Sequence, residues 1–582
     1  MLRAGLSRVA VASRRPILAL PTVLGWLAGV VLLVGGPWSP GKAAPWALRV
    51  HPDGGLFVGD VLSFEVLAPP GYQPPPDGSP TVRLQVLAGD RPTWEAPLQV
   101  HGIEGYWAAV FPWVWATRGV APGAYTVVAY LDAEEVLRQT ITLAPAAARP
   151  WWETGVAWRT AAWPVAEVTF FSRTAAARDL PLVRSALEDA RRGLAQPEGF
   201  PQTPQPVPLV LMPRLLGQGG FTSGHIWFTY TDRDATASYF PILARHELVH
   251  WLDRQREARY RSLMLVEGLA VYLAGGHYKP EPLAPRAAAL LLLEEYIPLT
   301  TLADGYFYDY QHEIAYLEAG ALVEYMVQRW GWPAFAGFYW GLDPDLADGA
   351  GPIFDANLQQ HFGLSLARLD ADFRRYLAAQ PDAAAWADDV RLTVAIFEAL
   401  RRYQRQMDPS AYYGTAWLPD LGRMQSAGAV ADAVRGPATV AHATVELLLQ
   451  EAHVALAAGD VARAQANVAA VQALLDAQAA GRTEPWRAHP EAARVAGWVQ
   501  AARGCGVEPT DLQRRADGQV WVWGWPRGGH PGLAAVAVAP GGRAEALACR
   551  VDLHGGLVWP GGPTPVYVPG PRHVPRWMRA GR

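Results

Sequence analysis

The chain has 582 residues, of which 51% are hydrophobic and 18% are charged, and its formal net charge at pH 7 is −4. A chain of this length exceeds what a single hydrophobic core supports, so several domains are expected. The small net charge gives no indication of a nucleic-acid partner, because such partners select proteins with a strongly basic surface.

The N-terminal segment predicts a membrane anchor. Residues 16–36 contain only one polar side chain, Thr22, and four arginines precede them, whereas no charge follows until Lys42. As a helix this segment would be about 32 Å long, enough to cross a bilayer. The positive-inside rule places its N-terminus in the cytoplasm. We therefore predict a signal anchor within residues 1–44 of a single-pass cell-membrane protein, with the rest extracytoplasmic, or secreted if the segment is cleaved.

Residues 45–147 have the pattern of an immunoglobulin-like β-sandwich. Leu62, Phe64 and Val66 alternate with other residues, as expected for strands with one buried face. Turn-forming pairs such as Pro122-Gly123 separate short strands of this kind. No catalytic set of residues is visible here, so a spacing or binding role is expected.

The pattern changes to α+β over residues 148–382. Residues 180–194 predict an amphipathic helix, and residues 207–212 predict a buried strand. Residues 383–503 are rich in alanine and predict an α-helical region. In it, Gly459-Asp460 separates two helices like those of a tetratricopeptide-type hairpin. No second copy of that hairpin is visible, so the sequence does not establish a repeat array.

Residues 504–582 predict a small C-terminal β-domain, rich in glycine and proline. Cys505 and Cys549 are the only cysteines of the chain. Outside the cytoplasm, a lone pair within one small domain is more often a disulfide than a metal site. We therefore predict a Cys505–Cys549 disulfide.

The pattern with the clearest chemical meaning is His-Glu-x-x-His, formed by His246, Glu247 and His250. Two histidines at positions i and i+4 lie on one helix face, so both imidazoles can reach a single metal ion. The glutamate between them lies beside that ion, where it can hold a water molecule. The alternative is a helix with two half-exposed histidines that pair with neighbours and bind nothing.

A hydrolytic zinc site needs a third protein ligand. Position 256 is an arginine, which excludes the subclass with a third histidine six residues after His250. Glu257 would lie about 16 Å from His246 along the same helix, too far to share the ion. Asp253 is better placed to orient an imidazole from outside the ligand sphere. Glu267 lies on the next predicted helix, which can fold back, although it could instead be a salt-bridge partner.

The two-histidine helix followed by Glu267-Gly268-Leu269-Ala270 resembles the gluzincin zinc metallopeptidases of the peptidase MA-like family, over roughly residues 150–382. The resemblance implies a thermolysin-like fold and a single zinc ion. It implies His246, His250 and Glu267 as the ligands and Glu247 as the general base.

The same resemblance implies that Tyr316 donates a hydrogen bond to the oxyanion. The alternative for Tyr316 is a core aromatic residue, with Tyr306, Tyr308 and Tyr310 nearby. Related aminopeptidases carry a Gly-x-Met-Glu-Asn segment upstream of the motif. Residues 217–221 read Gly-Gln-Gly-Gly-Phe instead, which favours an endopeptidase.

The sequence thus predicts a membrane-anchored, extracytoplasmic zinc metallopeptidase that hydrolyses polypeptides with zinc-activated water. Two other functions remain open. A degenerate peptidase core could serve as a binding or scaffold protein, and the intact Glu247 argues against that possibility. An active zinc site could also hydrolyse a non-peptide amide, because the motif determines water activation rather than the acyl group.

Overall fold

The computed structural model describes residues 46–558 with the exception of 52–54, 70, 74–80, 104–105, 150–155, 173, 213–218, 232, 234–238, 409–420, 423–424, 426–438, 516–517, 527–533, 540–543 and 552–556. Over this part of the chain it has fourteen α-helices and three β-sheets. No helix among these residues is long and apolar enough to cross a membrane, and the predicted anchor at 16–36 lies outside them. The predicted fold class, which began with a membrane anchor, is therefore corrected to a mixed helix-and-sheet chain.

The N-terminal region is one eight-stranded sheet with the order β1-β3-β6-β5-β4-β7-β8-β2. The long fifth strand pairs with β4 through residues 91–99 and with β6 through residues 99–103. It therefore joins the strands on the β4 side of the sheet to those on the β6 side. The predicted immunoglobulin-like sandwich is corrected accordingly, since it would have two separate sheets. The strands are β1 Ala47–His51, β2 Leu56–Phe57, β3 Val61–Leu67, β4 Thr81–Ala88, β5 Arg91–Ile103, β6 Tyr106–Ala116, β7 Gly123–Leu131 and β8 Glu134–Ala144.

The central region combines a five-stranded sheet with ten helices. In the sheet order β12-β13-β11-β10-β9, the three inner strands are parallel and the two edge strands are antiparallel to their neighbours. The strands are β9 Trp158–Ala162, β10 Ala166–Phe171, β11 Val207–Met212, β12 Gly220–Ser223 and β13 His225–Thr229. The helices are α1 Ala175–Arg178, α2 Leu180–Leu194, α3 Phe240–Asp253, α4 Leu263–Ala274, α5 Leu283–Leu292, α6 Leu299–Leu302, α7 His312–Trp330, α8 Trp332–Trp340, α9 Ala350–Phe362 and α10 Leu366–Ala378.

Close packing of α4 against α7 depends on two glycines. A Cβ on Gly268 of α4 would lie 2.5 Å from the carbonyl oxygen of Ala319 on α7. Conversely, a Cβ on Gly320 would lie 2.4 Å from a methyl group of Val271. Any side chain at these positions would push the helices apart. The two glycines therefore set the distance between α4, which carries Glu267, and the middle of α7.

The C-terminal region has four helices and a five-stranded antiparallel sheet in sequential order. Helices and strands contribute to one shared hydrophobic cluster, so the predicted helical region and the predicted small β-domain are corrected to a single packed unit. Its elements are α11 Ala383–Met407, α12 Val440–Ala457, α13 Val461–Ala479, α14 Pro490–Gly504, β14 Val507–Arg514, β15 Val520–Pro526, β16 Ala534–Val538, β17 Ala544–Val551 and β18 Leu557–Val558.

Two sequence predictions fall within this unit. The helices predicted on either side of Gly459-Asp460 are present as α12 and α13. Gly459 has a φ of 73°, and the carboxylate of Asp460 accepts a hydrogen bond from the backbone N–H of Arg463. Cys505 has no disulfide partner among the side chains that the structure describes, and the side chain of Cys549 lies outside them. The disulfide therefore stays a prediction.

Candidate metal centre

Helix α3 presents the two histidines of the motif from a largely buried position. Pro241 occupies its first turn, where a fixed φ favours helix initiation and a missing N–H has no cost. Leu248, Val249 and Leu252 pack into the central core and hold the helix in place. His246 and His250 are thereby presented to a cleft together, one turn apart.

The ligand atoms of His246, His250 and Glu267 form a nearly regular triangle. The two Nε2 atoms are 3.1 Å apart, and Oε2 of Glu267 lies 3.4 Å from Nε2 of His246 and 3.2 Å from Nε2 of His250. A tetrahedral zinc ion with bonds of 2.0–2.1 Å would separate its ligands by about 3.3–3.4 Å. Among the described residues this is the one cluster of metal-ligating side chains. The residues therefore fit a single zinc ion.

The electrostatics of the cluster also favour a cation. Burial alone would raise the pKa of Glu267, but His250 and hydrogen bonds from both imidazoles hold it well below its usual value. Burial lowers the pKa of His250, but the adjacent Glu267 carboxylate outweighs that effect and raises it to about 9. A buried carboxylate that attracts positive charge this strongly is a suitable ligand for a divalent ion.

Glu247 lies beside the triangle and is held by the sheet edge. Its Oε2 accepts a hydrogen bond of 2.9 Å from the hydroxyl of Thr222 on β12. Burial raises the pKa of Glu247 above its ordinary value, which makes the carboxylate a better proton acceptor. No local sequence pattern marks Thr222, which lies 25 positions upstream, as a partner of Glu247.

Aromatic and imidazole rings form one wall of the cleft. Tyr316 is 7% exposed and stacks on His277, with ring centroids 4.2 Å apart, and on His312 at 4.1 Å. Its ring lies 6.2 Å from that of His246. Burial, together with the neighbouring imidazole of His312, lowers the pKa of His277 well below its usual value. This shift disfavours the charged form of His277 within the wall.

Tyr308 contacts the candidate metal ligands directly. Its hydroxyl donates a hydrogen bond of 2.7 Å to Oε1 of Glu267, the oxygen that the triangle leaves unused. Such a bond orients a ligating carboxylate and leaves its second oxygen for the ion. The sequence has tyrosines at 306, 308 and 310, and no local pattern indicates which of them contacts Glu267.

Asp253 lies in the cleft lining but contacts no imidazole in the described structure. Its Oδ2 accepts from Arg261 at 2.8 Å and from Tyr339 at 2.9 Å, and its Oδ1 accepts from Trp340 at 2.7 Å. The Nδ1 atom of His246 is buried without a hydrogen-bond partner among the described residues. The contacts of Asp253 fasten the end of α3 to α8, which differs from the predicted role of orienting a histidine.

The cleft has a volume of about 440 Å³ and opens between α3, α4 and the edge strand β12. Gly220, Phe221 and Thr222 of that strand form part of its lining. Strand β13, which directly precedes α3 in the chain, lies inside the sheet and pairs with both β11 and β12, so β12 is the edge.

No family model matches the chain, and no curated protein matches its sequence. Any functional conclusion therefore depends on the residues of this chain and on the resemblance of its motifs.

Proposed function

We propose that this protein is a zinc-dependent metallopeptidase of the gluzincin type that cleaves peptide bonds. The observation that carries the proposal is the triangle of His246, His250 and Glu267, with edges of 3.1–3.4 Å. Glu247 lies beside it in a cleft large enough for a peptide segment. When bound, zinc acts as a Lewis acid and lowers the pKa of water to about 7.

The chain's own groups supply the proton transfers. Glu247 accepts the proton of the attacking water and then passes it to the departing amine. The hydrogen bond from Thr222 holds the Glu247 carboxylate in position during both transfers. The buried surroundings of Glu247 raise its pKa and thereby increase its basicity.

Tyr316 is the donor that we assign to the oxyanion. It lines the cleft, and none of the described residues forms a hydrogen bond with its hydroxyl. The hydroxyl of Tyr308, by contrast, is engaged by Glu267. A preorganised donor of this kind typically contributes about 10²- to 10³-fold to the rate.

The edge strand β12 favours a polypeptide substrate. An extended peptide can add to an exposed sheet edge through main-chain hydrogen bonds. The described contacts of β12 within its sheet all go to β13, and its residues line the cleft beside Glu247. A peptide bound along this edge would pass the candidate metal ligands.

Metal analysis tests the metal assignment. The purified protein is expected to contain one equivalent of zinc, measured by inductively coupled plasma mass spectrometry, and His246→Ala is expected to lose it. His361→Ala, at an exposed histidine of α9, serves as the control and keeps the metal. Equal metal content in the two variants would refute the assigned ligands.

Cleavage of a peptide library tests the reaction. Glu247→Gln is expected to retain zinc but to lower kcat by about 10²- to 10⁴-fold, because the general base is absent. Glu257→Gln, at an exposed glutamate of the same segment, is the matched control and is expected to match wild type. A zinc-loaded wild type that cleaves only non-peptide amides would favour an amidohydrolase. One that cleaves neither would favour a binding protein.

A further inference from the structure

Arg254 extends the face of α3 that carries the two histidines. It follows His250 by one helical turn and still has helical dihedral angles, with φ −65° and ψ −16°. Residues at i and i+4 lie one above the other on a helix, so Arg254 lies next to His250 on the cleft side. It is exposed and forms part of the cleft lining.

The position of Arg254 is set by the residue that also holds Glu247. One guanidinium nitrogen donates a hydrogen bond of 3.0 Å to the carbonyl oxygen of Thr222, whose hydroxyl donates to Glu247. Thr222 therefore lies between the proposed general base and the guanidinium. A substrate bound along β12 would meet Arg254 within a residue or two of the bond that is cleaved.

The charge of Arg254 has no carboxylate partner among the described residues. The other arginine of the cleft, Arg261, is neutralised by Asp253 at 2.8 Å. Glu247 and Glu267, the remaining acids of the cleft, contact Thr222, Tyr308 and the two histidines of the triangle. The guanidinium is exposed, and most of its five N–H donors have no partner among the residues that the structure describes. Such a group matches a carboxylate in geometry and charge.

We propose that Arg254 binds a carboxylate of the substrate, so that the protein prefers peptides with an anionic group close to the scissile bond. This inference rests on the proposed peptidase function and specifies its substrate class. The carboxylate could belong to an acidic side chain or to the C-terminus of a short peptide. Both offer the same planar pair of oxygens to the guanidinium.

Matched peptides test the proposal and separate the two sources. One series replaces glutamate by glutamine at each position around the cleavage site, and a second replaces the terminal carboxylate by an amide. Arg254→Gln is expected to lower kcat/KM for the anionic peptide by about 10- to 100-fold, as expected for loss of a charge-assisted hydrogen bond. Cleavage of the neutral counterpart is expected to change less than about twofold. The series in which the preference disappears identifies the source.

Two further variants control the experiment. Arg254→Lys retains the charge without the planar fork and is expected to recover part of the preference. Arg256→Gln removes an exposed arginine that stacks on Trp340, at 4.2 Å, and is expected to keep the full preference. A wild type that cleaves both members of each pair equally would overturn the proposal while leaving the peptidase function intact.

A binding measurement decides the proposal even if no peptide is cleaved. The Kd values of fluorescent anionic and neutral peptides are compared on the zinc-loaded Glu247→Gln protein, with and without Arg254→Gln. Weaker binding of the anionic peptide alone supports the assignment of Arg254. Equal weakening of both peptides, or no change in either, refutes it.

Discussion

The N-terminal sheet and the C-terminal helical unit differ in how they are joined to the central region. The hydrophobic cluster of the sheet draws only on residues 46–143, so the sheet has a core of its own. The cluster of the C-terminal unit includes Tyr278, which belongs to the central region and stacks on Phe397 of α11 at 4.1 Å. The C-terminal unit therefore shares its core with the segment that joins α4 to α5.

Charged contacts also join α11 to the central region. Asp389 of α11 accepts hydrogen bonds from Lys279 at 2.9 Å and from Arg286 at 2.6 Å. Arg401, on the same helix, forms a bidentate pair with Glu313 at 2.8 Å for each bond. These contacts hold the two segments that present His277 and His312 to the cleft. Helix α11 thus supports the wall of the candidate metal centre, whereas the N-terminal sheet contributes none of the residues that line the cleft.

The largest expected effect is the loss of Asp389. Asp389→Ala would leave two largely buried cations, Lys279 and Arg286, without this carboxylate, and breaking such a cluster typically costs about 3–5 kcal/mol of unfolding free energy. Glu135→Gln, in an exposed ion pair of the N-terminal sheet, is the control and is expected to have a much smaller effect, because solvent screens such pairs. Chemical denaturation measures both. Similar losses of unfolding free energy in the two variants would contradict the conclusion that the contacts of α11 with the central region are the more important ones.

Replacement of one of two buried tyrosines is expected to lower the free energy of unfolding by less, and to have a more specific consequence. Tyr278 and Tyr125 are 7% and 6% exposed, and each packs against another aromatic ring. Replacement of either by leucine is expected to cost about 1–3 kcal/mol. Only Tyr278→Leu should also weaken zinc binding, by about tenfold, because it displaces the adjacent His277. Competition with a chromogenic chelator measures the zinc affinity. An equal loss of zinc affinity in Tyr125→Leu would contradict the conclusion that the C-terminal unit, and not the N-terminal sheet, supports the candidate metal centre.

The smallest expected effect is a lowered pKa of Lys279, which contacts Asp389 of α11. Burial, with a contribution from Arg286, lowers the pKa of Lys279 to about 8 from its ordinary value of 10.5. Lys42 and Lys279 are the only lysines, so a ¹³C-lysine NMR titration has two resonances to assign. We expect the Lys279 midpoint near 8. A Lys279 midpoint near 10.5 would show that this side chain is not desolvated.

The lowered pKa of Lys279 also makes the free energy of unfolding depend on pH. Between about pH 8 and 10.5 the folded chain has released the Lys279 proton while the unfolded chain still holds it. Stability therefore rises with pH through this window, relative to a Lys279→Met variant. Below pH 8 both states are protonated, and the folded state carries the full cost of the buried charge. Denaturation midpoints of the two proteins across this range test the sign.

Local patterns in the sequence predicted the elements that depend on local structure. The helix expected at 180–194 and the strand expected at 207–212 are α2 and β11, because each has a strong periodicity and a buried face. The spacing of His246 and His250 similarly places two imidazoles on one helix face, whatever the rest of the fold does. The resemblance to gluzincins contributed Glu267, which the helix geometry alone left open.

Contacts between distant segments could not be predicted in this way. Three contacts join residues that no local pattern relates. Thr222 contacts Glu247, Tyr308 contacts Glu267, and α11 contacts the segment that follows His277. The choice of β12 rather than β13 as the sheet edge likewise depends on strand pairing. The sequence alone thus determined which side chains are candidate donors on one helix face, because side-chain chemistry and helical spacing are local properties. Only the tertiary structure decided which groups surround those donors, because packing and strand order bring together residues that are far apart in the chain.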